Sequence, residues 1–544
     1  ILFVQELVAH IHRSAGMGYE REVETSVHMR LYFLDKKNFI LLSLLFCITV
    51  SASILIGTQG PPVLLRTTIN GSDVLSQKSE LAIGPFDIKT QPLYIYQREI
   101  WLSAVLHIKP LSAALSVPFH IYVSIGCRSL QSEVSSNARP QSLMWMRNFS
   151  NSLLLTCYGQ TCTEKLIAHL PVVGCDLHTF HVNFSAQSAT SSSSAFATAP
   201  KKRTKSPPSD VSATSFIEVS SVEFILQTFN PPFSYFELFS RFFAFFSSTL
   251  LLLYFLAAMG KFELRRWTIE QRWTPVILTL LLFYYDPFHP LVFLVNSWVP
   301  EACDYIFHIT FLSALLLFWL CVYHGMRVTD RSFRQFYLPK LLVVGSIWLL
   351  LVSLTCWKMH SSYSDPQFAF SMDQTAVVAW LAALGVLGFI YLLFFLILVI
   401  RSCSELHALP YFGRRLRFLT VSACLVAIGW FIVFALRFDL VFPPSYRPVT
   451  TVTLAPPSTD SAPHSTASLL PSPMFRSALE VSVPFGLFLA NALLIVIVYA
   501  PARNALSEAN FKDNPIVSMI NDSDEDVLFG SDPEDLQLRP VRRR

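Results

Sequence analysis

The chain has 544 residues, of which 52% are hydrophobic and only 14% charged, and its mean hydropathy is +0.46. Soluble domains carry about 25% charged residues, so this composition describes an integral membrane protein. A formal net charge of +4 is too small to argue for a nucleic-acid partner.

The chain starts at Ile1 without an initiator Met, which suits a fragment or an uncertain start. Residues 1–38 are polar, with Arg30, Lys36 and Lys37 close to the first apolar run. That run, Phe39 to Gly57, is too long for a signal-peptide core and is expected to be the first transmembrane helix. Its basic leading flank is expected to stay cytoplasmic, which sends the following residues into the lumen or extracellular space.

Residues 58–234 hold no run long enough to span. They hold short β-rich pieces bounded by Pro, Gly and Ser: PLYIYQ, REIWLSAVLHI, PFHIYVSIG, SLLLTCYG, KLIAHLPVV, HTFHVNFS and FIEVSSVEFILQTF. Period-two alternation and aromatic content predict strands, and seven of them predict an antiparallel sandwich. Ser185 to Ser215 is low in complexity and is expected to be a disordered loop of that domain. Three glycosylation sequons begin at Asn70, Asn148 and Asn183, and four cysteines fall here: Cys127, Cys157, Cys162 and Cys175. An oxidising compartment would let these cysteines pair in any of three ways.

Seven further spans are predicted: Phe236 to Met259, Pro275 to Trp298, Tyr305 to Met326, Leu341 to Trp357, Ala376 to Ile400, Phe418 to Leu436 and Val481 to Ala500. The connections 260–274, 327–340 and 401–417 are rich in Lys and Arg, whereas 299–304 and 358–375 are not. This alternation predicts eight spans with both termini cytoplasmic. The connection 437–480 is rich in Pro, Ser and Thr, and so is expected to be a flexible lumenal loop. The tail 501–544 carries an acidic run in which Ser523 and Ser531 precede acids, a pattern suited to phosphorylation.

The sharpest site candidate is the segment YYDPFHP within Pro275 to Trp298. A carboxylate inside a span costs about 2.5 kcal/mol or more on insertion scales, and proline removes a backbone donor where no water replaces it. Asp286, Pro287, His289 and Pro290, with His308 from the next span, are therefore expected to face other helices, where they either line a ligand cavity or pair within the bundle and fix helix packing. A bend at Pro287 is expected. Glu237 and Arg241 stand one turn apart and can pair, or can anchor the helix at the interface. His324 is expected at the opposite membrane face from His308. No P-loop, dinucleotide fingerprint, nucleophile elbow or HExxH is present. No enzyme, cofactor or metal is therefore expected, and Cys175, His178 and His181 read as part of an ordinary strand.

Several strings carry a resemblance: MRLYFLDKKNF from Met29, QTFNPPFSYFE from Gln227, YYDPFHPLVFLVNSWVP from Tyr284, ALLLFWLCVYHGMRV from Ala314, CSELHALPY from Cys403 and KDNPIVSMINDSDEDVLFGSDPED from Lys512. The chain resembles the transmembrane protein 181 family, whose spanning region is of the Wntless-like class. The resemblance covers nearly the whole chain. It implies an α-helical multi-pass protein in which a GOLD-type β-sandwich is inserted between the first span and a receptor-like bundle of seven, residues 235–500. In the related Wntless carrier the bundle holds a lipid-modified secreted ligand, and the transmembrane protein 181 family is associated with sensitivity to a bacterial cytolethal distending toxin. The expected partners are thus membrane lipid, a lumenal or extracellular lipid or acylated protein, and a bacterial toxin. The expected location is the Golgi or plasma membrane. The expected function is that of a receptor or carrier, with an orphan signalling receptor as the alternative. Segments 185–215 and 443–476 depart from the family.

Overall fold

A computed structural model describes residues 27–75, 84–109, 115–128, 144–158, 160–186, 219–328, 333–368, 375–406, 412–437, 477–502 and 505. Ser523, Ser531, nearly all of segment 185–215 and most of the 437–480 connection lie outside these residues.

Between the first two long helices the chain forms nine strands among the described residues: β1 (Leu64–Asn70), β2 (Phe86–Lys89), β3 (Ile100–Ile108), β4 (Leu115–Arg128), β5 (Met144–Tyr158), β6 (Thr161–Cys162), β7 (Lys165–Leu170), β8 (Leu177–Ala186) and β9 (Val219–Phe229). All pairings are antiparallel. The order is β1-β9-β3-β6-β5-β4-β8-β2, with β7 also on β3. The two-residue β6 is the only link in that order between the β1-β9-β3 half and the β5-β4-β8-β2 half. Inward positions alternate as a strand requires. Ile100, Leu102, Ala104 and Leu106 of β3 face Phe119, Ile121, Val123 and Ile125 of β4 and Phe180, Val182 and Phe184 of β8 across one core. The disulfides join Cys127 to Cys175 and Cys157 to Cys162. Asn70, Asn148 and Asn183 are exposed. Six of the seven expected strands form. The exception is PLYIYQ, where Ile95–Gln97 makes a 3-10 turn because Gln97 Oε1 accepts the Tyr94 N–H at 2.9 Å. Ser185 and Ala186, expected in a disordered loop, end β8 instead.

The helices are α1 (Lys36–Thr58), α2 (Pro231–Met259), α3 (Ile269–Tyr284), the single turn α4 (Leu291–Leu294), α5 (Val299–Gly325), α6 (Leu338–Ser364), α7 (Thr375–Leu406), α8 (Phe412–Arg437) and α9 (Leu479–Tyr499). Seven helices among the described residues are long and apolar enough to cross a membrane. They cover seven of the eight expected spans. The eighth, Pro275 to Trp298, is not continuous: α3 stops at Tyr284, and Asp286 takes a φ of +44°. The cause is local. Pro287 disfavours a helical residue before it, and Asp tolerates the left-handed region better than most residues. The Asp286 carboxylate then accepts the Phe288 N–H at 3.0 Å and caps the break.

Helix α9 is the axle of the bundle. It is apolar all round and mostly buried, packing on α1, α2, α3 and α8. Its contact with α1 uses small residues. A Cβ on Gly486 would fall 1.7 Å from Ser53 Oγ, so only Gly permits this approach. At the end away from the sandwich, residues 28–30 meet 500–502, with Arg30 N donating to Ala500 O at 2.9 Å and Ala502 N to His28 O at 2.9 Å. At the other end the sandwich is docked through short junctions. Strand β9 ends at Phe229, and α2 starts at Pro231 with proline at its first turn, where no backbone donor is lost.

Candidate functional site

Directly beneath the sandwich, α2, α3 and α5 bring ionised groups together inside the bundle. Glu237 and Arg241 are one turn apart on α2 and almost wholly buried. Arg241 Nε and Nη2 donate to Glu237 Oε1 at 3.1 and 2.8 Å. The same guanidinium donates from Nη1 and Nη2 to the two oxygens of Asp304 on α5, each at 2.8 Å. Such a fork-on-carboxylate contact is what makes a buried arginine tolerable, because each buried ion costs several kcal/mol unless it is paired and hydrogen-bonded. The expectation that Glu237 and Arg241 could pair is met. The alternative of interfacial anchoring is not, since neither reaches solvent.

The sandwich contributes the next member. Arg98, in the loop before β3, donates to Glu237 Oε2. Its guanidinium lies over the rings of Phe229 and Phe293, at 4.8 and 5.3 Å from their centroids. Nearby contacts hold the same seam. Ser234 Oγ donates to Tyr96 O at 2.8 Å, His169 N donates to Pro366 O at 2.6 Å, and His169 Nδ1 is 3.0 Å from Ser362 Oγ. His169 Nε2 is 2.8 Å from Glu99, and its ring stacks on Trp101.

The break after α3 delivers Asp286 and His289 to the cluster. His289 Nε2 is 3.5 Å from Glu237 Oε1, and its Nδ1 is 3.9 Å from Asp286 Oδ2 and 4.0 Å from Asp304 Oδ2. Both histidine and aspartate are buried. His308 is one turn beyond Asp304, with Nδ1 at 3.2 Å from Asp304 Oδ1, and its ring lies 4.3 Å from that of Tyr284. Of the expected cavity residues, Asp286, His289 and His308 therefore converge. Pro287 and Pro290 are half-buried and shape the break without offering a polar group. Asp286 is not midway along a continuous span. It stands at the end of α3, level with Glu237 and Asp304. His324 lies at the far end, stacked on Phe336 at 5.0 Å.

Sequence reasoning missed Asp304 and Arg98. Asp304 carried one usable signal, its i, i+4 spacing to His308 at the start of an apolar span. Arg98 carried none. Cys127, Cys175 and His178 also approach one another within 4.8 Å, but both sulfurs are in a disulfide and so cannot ligate.

This architecture, a β-sandwich docked on a multi-pass helical bundle, defines a class: an integral membrane protein with a Wntless-like transmembrane domain. The family model described as Wntless-like, transmembrane domain matches residues 230–503, and that described as TMEM181, GOLD domain matches residues 84–199. Human transmembrane protein 181 is 33% identical over 523 residues, covering 95% of this chain and 97% of that relative. The chain belongs to the transmembrane protein 181 family.

Proposed function

We propose that the protein is a receptor or carrier that takes a lumenal or extracellular ligand, a lipid or a lipid-modified protein, where the sandwich meets the bundle. The observation that carries this reading is the Arg98–Glu237 contact, which ties a sandwich loop to an ionised cluster inside the membrane domain. A ligand that shifts the sandwich by an ångström would have to rearrange buried charges, so binding outside would be felt within the bundle. The Wntless-like match favours an acylated ligand. In this reading the sandwich is lumenal, Asn70, Asn148 and Asn183 carry glycans, the basic connections and acidic tail are cytoplasmic, and the protein moves between Golgi and plasma membrane under Ser523 and Ser531 phosphorylation. Surface display of the sandwich would account for toxin sensitivity of the kind associated with the family.

A second reading, a signalling receptor, is favoured by the buried Glu270–Arg415 pair at the end of the bundle that bears the basic connections, where Arg415 Nη2 lies 2.6 and 2.7 Å from the two carboxylate oxygens. In that reading, opening this pair would expose a cytoplasmic face to a partner.

The first reading is tested in cells fed a photoactivatable alkyne fatty acid. Crosslinks to the full-length protein should concentrate at the seam, around Tyr96, Phe293 and Ser362, and fall at least threefold in Arg98→Ala. Crosslinks spread evenly over the lipid-facing helices, and unchanged in the variant, would overturn it.

A further inference from the structure

We propose that Asp286, His289 and Asp304 form a binding site for one divalent transition-metal ion, held by an imidazole nitrogen and two carboxylate oxygens at the sandwich end of the bundle. One ligand atom from each lies within 4.8 Å of the others. The three residues come from two elements, the break after α3 and the first turns of α5, so an ion would tie the broken span to its neighbour.

Three observations point to a ligand. First, His289 is 1% exposed, yet neither ring nitrogen has a hydrogen-bond partner among the described residues. Burying polar atoms without a partner is unfavourable, so such atoms call for one. Second, the ring is oriented as a ligating histidine is. Nδ1 faces Asp286 and Asp304, while Nε2 faces Glu237 Oε1 at 3.5 Å. With an ion at Nδ1, the Nε2–H would point toward this carboxylate, the arrangement that favours a lone pair on the metal side. Third, Asp286 is left without a cation. Arg98 and Arg241 bond Glu237 and Asp304, whereas the buried Asp286 carboxylate has, among the described residues, the Phe288 N–H at 3.0 Å and the His289 ring at 3.9 Å.

The donor set narrows the ion. Calcium and magnesium take oxygen ligands, whereas an imidazole with carboxylates suits zinc and its neighbours. Donors around zinc at about 2.0–2.2 Å sit roughly 3.3–3.6 Å apart in a tetrahedron. The separations of 3.9 and 4.0 Å are within half an ångström of that. Rotation of the imidazole and of the Asp286 carboxylate, whose Oδ2 is turned toward the ring, would close the difference. Asp304 can ligate without leaving Arg241, because a carboxylate oxygen has a second lone pair. The inference stands apart from the proposed ligand function, since an ion can staple the bundle whether or not anything binds at the seam.

The test uses untagged full-length protein in mild detergent, stripped with a chelator and titrated with Zn²⁺ alone. One equivalent should survive desalting. His289→Gln and Asp286→Asn should each lose at least tenfold in affinity, whereas Asp87→Asn, which removes the carboxylate 2.5 Å from His181 on the sandwich surface, should change nothing. Retention of no ion by the wild type would overturn the proposal, as would wild-type affinity in either site variant. If either variant fails to accumulate, zinc-edge X-ray absorption of the wild type decides. One imidazole with an otherwise oxygen shell supports the site, and a sulfur or multi-imidazole shell overturns it.

Discussion

The two ends of the bundle each bury ionised groups, and they do it differently. At the end away from the sandwich, Glu270 of α3 meets Arg415 of α8 in a two-pronged contact. Gln271, next to Glu270, caps its own helix through Thr268 and donates to Tyr499 O at 3.1 Å. Beneath the sandwich the arrangement is a chain: Arg98, Glu237, Arg241, Asp304, with Asp286 and His289 alongside. A two-pronged pair can be opened or replaced together. A chain cannot, because its inner members, Glu237, Arg241 and Asp304, each serve two others. The pair is therefore suited to a latch, and the chain to transmission between domains.

The largest effect should come from breaking the chain at its centre. Arg241→Met leaves Glu237 and Asp304 buried without their shared cation, a loss of about 3–5 kcal/mol, which is a large part of a domain's stability. The expected outcome is near-complete loss of folded protein by fluorescence-detected size-exclusion chromatography. Next is the pair. Arg415→Met alone should cost about 3–5 kcal/mol, and adding Glu270→Leu should restore most of it, since an apolar replacement of a buried pair is often neutral. The corresponding double change in the chain, Arg241→Met with Asp304→Leu, should restore far less, because Glu237 still loses its two bonds from Arg241. Equal rescue at both ends would mean that the chain of charges is no more interdependent than the pair.

Much of this fold was legible in the chain itself. Hydropathy alone locates α1, α2 and α5 to α9, because a bilayer demands long apolar runs and little else produces them. Alternation locates β3, β4 and β8. Strand β1, LLRTTIN, was missed because it is half-buried along most of its length and carries no two-residue period. The break after α3 was signalled by Asp286 and Pro287, but its depth was not, since nothing in the run PVILTLLLFYY marks Tyr284 as the last helical residue. The pairings were least legible. Arg241 and Asp304 are 63 residues apart, and Arg98 and Glu237 are 139 apart. A charge in or near an apolar segment announces that it needs a partner without saying which.

A buried histidine free of such a cluster gives the comparison a third point. His178, on β8 in the sandwich, is 1% exposed, and burial holds its pKa down to about 4 from an ordinary 6.5, against a small opposing pull from Asp176. The unfolded chain takes up a proton that the folded one refuses. Stability is thus full above about pH 6.5 and falls as pH drops toward 4, by about 3 kcal/mol in all. Pulse proteolysis of full-length protein in urea should show the sandwich strands giving way at lower urea at pH 5 than at pH 7.5. His178→Gln should flatten that dependence. An unchanged slope in the variant would mean that other groups carry it.

The smallest and most informative change is Arg98→Ala. Glu237 keeps both bonds from Arg241, so the bundle should survive, and the loss should be about 2 kcal/mol, the worth of a hydrogen bond between charged groups. That loss should fall on docking and not on either core. Hydrogen exchange should quicken at Tyr96, at His169, whose amide is bonded to Pro366 O, and at the β9–α2 junction, while β4 and α9 stay protected. Arg98→Lys restores the charge without the planar fork, and so should recover only part of the protection. If exchange instead quickens throughout α2 and α5, Arg98 is a member of the bundle core and not its connection to the sandwich. The chain of charges would then end at the membrane domain's own surface.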